Sequence, residues 1–266
     1  MHRLSRLENK ARAPGSRKAL FGLGGLALML TACGGATPDS QANVSAMAGN
    51  EAAATGDLKL TYAMPEADGE TIAYRVYLPS GWSADRQWPM VLVLHGYGGT
   101  ANSPFDDAGG ALQREAEKHG FVVVSPNGYN GMADYGANLP LPSALPRAGE
   151  APAMTPQEES ALAEADVRNV LGKVMADYNI DPRRVYLMGN SMGMTGVLHF
   201  ARTEPERWCA ISASGGPPWP DYPVGIDARM ELIPEGTHGD AWVRYLPQTL
   251  DFFARQDCSG EAQRNG

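Results

Sequence analysis

The sequence predicts an α/β fold, a mostly parallel sheet with helices on both faces. Short continuous apolar runs at residues 90–94 and 121–125 have the length and composition of strands buried on both faces. Stretches with helical spacing separate such runs from one end of the domain to the other. Strands alternating with helices of this length favour parallel pairing, because each crossover returns the chain to the same end of the sheet. The composition fits a folded domain: of 266 residues, 43% are hydrophobic and 20% charged.

The N-terminus reads as an address rather than as part of the fold. A basic stretch ends at Arg17-Lys18, and an apolar run follows over residues 19–30. That run is too short for a stable membrane span but has the proportions of a signal-peptide core. The tetrapeptide Leu30-Thr31-Ala32-Cys33 resembles the bacterial lipoprotein box. The resemblance implies removal of residues 1–32 and acylation of Cys33 as the new N-terminus. Gly34, where inner-membrane lipoproteins carry Asp, implies the outer membrane. The plainer alternative is an ordinary signal peptide, or a short anchor, with an incidental cysteine. Residues 33–56, rich in Ala, Gly, Ser, Thr and Asn, read as a flexible tether, residues 57–258 as the domain and 259–266 as a disordered tail. The expected location is that of an exported bacterial lipoprotein at the outer membrane, cell surface or periplasm, touching the membrane only through its lipid.

Charge narrows the partners. Six of the 22 basic residues but one of the 30 acidic ones fall in residues 1–32, so the remainder carries −13. Such a surface repels phosphate backbones, and no nucleic-acid partner is expected. Export permits a disulfide between Cys209 and Cys258. Spacing alone leaves open the alternative of one buried and one exposed thiol.

Within the domain, residues 71–78 alternate and read as an antiparallel strand near a sheet edge. The strand at 90–94 follows, then a helix from about 106 to 119 that Gly120 stops. After the strand at 121–125 comes a segment over 128–156 rich in Pro, Ala and Gly. It leaves the strand ends where α/β sheets place their sites, and reads either as a lid or pocket wall or as a solvated insertion. A helix over 156–178, a strand at 184–188, a helix at 193–203 and strands at 208–214 and 230–233 complete the alternation. A helix over 241–255 closes the domain.

The sharpest chemical signal is Gly189-Asn190-Ser191-Met192-Gly193, between a strand and a helix. A serine on so tight a turn is pushed into the open as a nucleophile, and the flanking glycines let the chain turn. The helix N-terminus behind it favours negative charge. His95-Gly96-Tyr97-Gly98-Gly99, directly after the strand at 90–94, supplies the second element. In that position the backbone N–H of Tyr97, with that of Met192, forms an oxyanion hole. Alone, each motif is only a turn; together and in this order they point to acyl transfer. A base must follow the serine, and His199 and His238 are the two candidates. His199 lies on the helix after the turn, whereas His238 lies in a loop from which a ring can swing over the serine.

These segments resemble the esterase group of α/β-hydrolases that includes polyhydroxybutyrate depolymerases and feruloyl esterases. The resemblance runs from Arg75-Val-Tyr-Leu-Pro through Pro89-Met-Val-Leu-Val-Leu-His-Gly and Ala165-Asp-Val to Tyr178-Asn-Ile-Asp-Pro-Arg-Arg-Val-Tyr-Leu-Met-Gly-Asn-Ser-Met-Gly, ending near Pro205. It resumes at Met230 and continues to the final helix. It implies an α/β-hydrolase fold, hydrolysis of small-molecule or polymer carboxylic esters, no cofactor and no metal, with Ser191 as nucleophile and His238 as base. Met194 stands where the group has glycine, which implies looser packing of helix on strand there.

One departure bears on the chemistry. The group places a strand and helix between the strand at 208–214 and that at 230–233, with the catalytic acid on the intervening loop. Here residues 215–229 provide about half the ~30 residues of such a unit and are rich in proline. The carboxylates left for orienting the histidine are Asp227 and Asp221, each otherwise a solvated loop residue. If the strand at 230–233 fills the vacant place, His238 moves by ~4.8 Å, breaking a bond that needs ~2.6–3.2 Å unless its loop bends back. Two functions follow: an active serine esterase with a patched triad, or an impaired or non-catalytic binding lipoprotein derived from one. No pocket residue favours a peptidase. Trp219, Tyr222 and Trp242 flank the site as an aromatic wall or as core filling.

Overall fold

The computed structural model describes residues 55–138, 154–216, 235–256 and 258. The described residues form a sheet of β1 (Gly56–Met64), β2 (Glu70–Leu78), β3 (Trp88–Leu94), β4 (Val122–Pro126), β5 (Ile180–Asn190) and β6 (Ala210–Ser214), in the order β1-β2-β4-β3-β5-β6. β4, β3, β5 and β6 pair in parallel, and β1 and β2 add an antiparallel flank. β2 is antiparallel and near the edge, as expected, one place in from it. The edge belongs to β1, which the sequence reading left out. Its inward residues Leu58, Leu60 and Tyr62 alternate correctly, but they adjoin a stretch whose composition masks the pattern.

The helices are α1 (Ser103–Asp106), α2 (Ala111–His119), α3 (Pro156–Asp177), α4 (Met192–Thr203), α5 (Ala241–Arg244) and α6 (Leu246–Ala254). The single helix expected from about 106 to 119 is two. Gly109 and Gly110, at φ 56° and 79°, turn the backbone left-handed between them. The closing helix also divides, because Pro247 in the first turn of α6 has no N–H with which to continue α5. Thr155 and Glu158 open α3 with a reciprocal capping box. Among the described residues no helix is long and apolar enough to cross a membrane. The strand expected at 230–233, Cys33 and the 259–266 tail lie outside the described residues.

Successive residues of β3 enter two cores, as a pleated strand requires. Leu92 and Leu94 pack with Val167, Val170, Val197 and Phe200 of α3 and α4. Val91 and Val93 pack with Phe105, Leu112, Leu246 and Phe253 of α1, α2 and α6. Helices thus cover both faces, and the C-terminal ends of the parallel strands remain available for a site. At the opposite end, Cys209 and Cys258 form a disulfide with Cα atoms 5.6 Å apart.

Candidate active site

β5 ends at Asn190 and α4 begins at Met192, so Ser191 is the whole turn between them. Its backbone sits at φ 58°, ψ −119°, a region costly for a residue with a side chain. The glycines on either side make the reversal possible. A Cβ on Gly189 would lie 2.5 Å from the Gly193 carbonyl oxygen, and one on Gly193 would collide with the carbonyl of Leu94. Close packing of α4 on β3 therefore survives the methionine at 194. That side chain is buried and turns toward Gly216 instead of wedging helix from strand.

His238 Nε2 lies 2.8 Å from Ser191 Oγ. The two side chains are therefore within hydrogen-bond distance of each other. Thr237 and Asp240 cap each other around His238: Thr237 N–H donates to Asp240 Oδ1 at 2.6 Å, and Asp240 N–H to Thr237 Oγ1 at 3.3 Å. Bonding from Thr237 holds the Asp240 carboxyl below its ordinary pKa. The Asn190 amide donates to the His238 carbonyl at 3.4 Å and accepts from the Ser214 hydroxyl at 3.1 Å. His199 lies elsewhere, with Nε2 2.8 Å from Glu164 Oε1.

The loop after β3 runs directly beside the serine. A Cβ on Gly96 would lie 3.4 Å from Ser191 Cβ, which sets the following residue, Tyr97, at the nucleophile. Met192 opens α4, so its N–H has no acceptor within the helix. His95 anchors the loop, its Nδ1 and Nε2 each 2.8 Å from a carbonyl oxygen, those of Gly96 and Asn127. Burial lowers the pKa of its imidazole. A cavity of about 360 Å³ opens here, lined by Tyr97, Ser103, Asp107, Asn190, Gly239 and Trp242 among others. Of the three expected wall aromatics, Trp242 reaches this cavity. Trp219 and Tyr222 lie outside the described residues, as do Asp227 and Asp221. Among the described residues no three metal-ligating side chains cluster.

Sequence reasoning passed over Asn190 as the variable residue of the turn and Asp166 as part of a resemblance. Their roles depend on bonds to distant backbone, which no local pattern signals.

A serine on the turn from a parallel strand into a helix, faced by a histidine and flanked by a glycine-rich loop, defines an α/β-hydrolase. The chain belongs to the esterase family, whose model, described as "Putative esterase", matches residues 66–250. It is 31% identical over 129 residues to feruloyl esterase B of Neurospora crassa, covering 48% of this chain and 38% of that protein. It is 26% identical over 182 residues to a poly(3-hydroxybutyrate) depolymerase of Ralstonia pickettii, covering 66% of this chain and 34% of that one. The chain thus spans about a third of the length of these relatives. An S-formylglutathione hydrolase of Agrobacterium tumefaciens aligns in structure with a TM-score of 0.46 at 17% identity, over 59% of this chain and 56% of the other.

Proposed function

We propose that this protein is a serine carboxylesterase, and the observation that carries the reading is the 2.8 Å contact between His238 Nε2 and Ser191 Oγ. Ser191 Oγ attacks the ester carbonyl carbon while His238 Nε2 takes its proton. The backbone N–H groups of Tyr97 and Met192 receive the oxyanion, whose charge exists only as the reaction proceeds. Collapse of the tetrahedral intermediate expels the alcohol, which leaves with the proton from His238. Water then attacks the acyl-enzyme with His238 again as base, releasing the carboxylic acid and restoring Ser191. Asp227 is the proposed orienter of the His238 ring, with Asp221 as the alternative. Family membership supports a carboxylic ester as substrate, small or polymeric.

Turnover of p-nitrophenyl acetate and butyrate by wild type, Ser191→Ala and His238→Ala tests the reading. Each variant is expected to lose roughly 10⁴-fold or more of kcat. A folded wild type no faster than Ser191→Ala would instead identify an esterase-derived binding protein.

The proposed location is the bacterial cell envelope, through a lipid on Cys33. The N-terminal pattern supports it, and the Cys209–Cys258 disulfide fits an oxidising compartment. Intact-mass measurement on membrane-extracted protein checks it. A mature chain beginning at acylated Cys33 is expected, and an unmodified Cys33 refutes the anchor.

A further inference from the structure

Asp166, on α3, is fully buried, and the chemistry above makes no use of its carboxylate. Its Oδ2 accepts the backbone N–H groups of Gly128 at 2.7 Å and Tyr129 at 3.2 Å, and its Oδ1 accepts the Tyr62 hydroxyl at 2.6 Å. Gly128 and Tyr129 are successive left-handed residues, at φ 65° and 62°. Their two N–H groups converge on the single oxygen Oδ2, a small backbone nest that holds the carboxylate. A tyrosine in this conformation is strained and persists only where its surroundings fix it. Among the contacts that hold it here is the bond from its N–H to the carboxylate.

The residue before this nest, Asn127, reaches the loop beside Ser191. Its carbonyl lies 2.8 Å from His95 Nε2, and its side-chain oxygen accepts Ala101 N–H at 3.2 Å. Its side-chain amide donates back to Tyr129 O at 3.1 Å, tying the link to the strained residue. Two further bonds join the same pair of loops: Gly98 N–H to Gly131 O at 2.5 Å, and the Tyr135 hydroxyl to His95 O at 3.2 Å. The backbone from His95 to Ala101 is therefore held from behind by the segment 127–135, whose entry the Asp166 nest shapes.

We infer that Asp166 is a positioning residue for the oxyanion hole, acting through the nest at Gly128–Tyr129 and the Asn127–His95 link to fix the backbone at Tyr97. The inference rests on the esterase reading. An oxyanion donor contributes through its placement before the charge appears, so a displaced donor costs kcat more than KM. Asp166→Asn keeps one acceptor oxygen but no charge, loosening the nest while filling the same space.

The test compares wild type and Asp166→Asn in kcat, in KM, and in affinity for a trifluoromethyl ketone, which adds to the serine to give a tetrahedral oxyanion. The expected result is a drop in kcat of roughly 10- to 100-fold, KM within about threefold, and ketone affinity falling in step with kcat/KM. A purely structural role would lower the melting temperature without this split. Folded Asp166→Asn with wild-type kcat and ketone affinity overturns the inference, as does a loss confined to KM. If Asp166→Asn does not fold, Asn127→Ala cuts the next link: the same parallel loss supports the inference and wild-type values overturn it. A wild type that neither turns over ester nor binds the ketone overturns the esterase reading, and this inference with it.

Discussion

Ser191 Oγ and His238 Nε2 stand 2.8 Å apart although they are 47 positions apart in the chain. Separate devices hold the two sides of this contact. On one side the Ser191 N–H donates to Ser214 O at 2.9 Å, fastening the turn to β6. On the other the Thr237–Asp240 cap shapes the histidine loop, and the Asn190 amide bridges the two.

The turn at Ser191 holds backbone strain. A side-chain-bearing residue at φ 58°, ψ −119° costs on the order of 1–3 kcal/mol, and glycine avoids most of that. Ser191→Gly is therefore expected to be more stable than Ser191→Ala by about 1 kcal/mol in urea unfolding, with neither active. Equal stabilities would show that the turn is unstrained.

Asn190 tethers the histidine loop to the nucleophile turn. Asn190→Ala removes its bonds to His238 O and Ser214 Oγ. The expected result is a fall in kcat of about tenfold, because a base held less well spends less time in line with its hydroxyl. KM should change little. An unchanged kcat would mean that other contacts hold the loop.

The disulfide lies at the end of the strands away from Ser191. Cys209 N–H donates to Val185 O at 2.8 Å near the start of the β5–β6 pairing, while Ser191 follows the far end of β5. Replacing Cys209 and Cys258 by alanine reopens a link across a separation of 49 residues. It should cost about 2–4 kcal/mol of stability with near-wild-type activity in the folded protein, read by chemical denaturation and ester turnover.

The flank of the sheet has its own pH dependence. Arg75 grips Asp57 with two bonds of 2.6 Å and reaches Asp106 at 2.7 Å. Bonding from Arg75 holds the Asp57 carboxyl below its ordinary pKa despite the opposing effect of burial. A carboxyl with a depressed folded pKa contributes stability above the unfolded value of about 4, lost as pH falls through the folded value. Asp57→Asn should therefore be less stable than wild type at pH 7 and lose less between pH 5 and pH 3, as urea midpoints at the three pH values will show.

Much of the site was legible because it is local. Gly189 to Gly193 carries its turn chemistry in five consecutive residues, and the strands at 90–94 and 184–188 announce themselves by continuous apolar composition. β1 was harder to read because its inward residues sit beside a tether-like stretch. The break at Gly109-Gly110 was equally hard, since paired glycines inside a helical pattern decide nothing until φ is known. Family resemblance supplied the order of serine and histidine, though not whether the two would meet.

The α/β alternation, the serine turn and the glycine loop can be read from local sequence, because each depends on neighbours within a few residues. The tertiary structure decided that His238 rather than His199 faces Ser191, that Cys209 pairs with Cys258, and that Asp166 sits beneath the loop after β4. The physical reason is common to all three. A hydrogen bond or disulfide between residues dozens of positions apart depends on how sheet order and loop paths bring them together, and no short-range pattern encodes that distance.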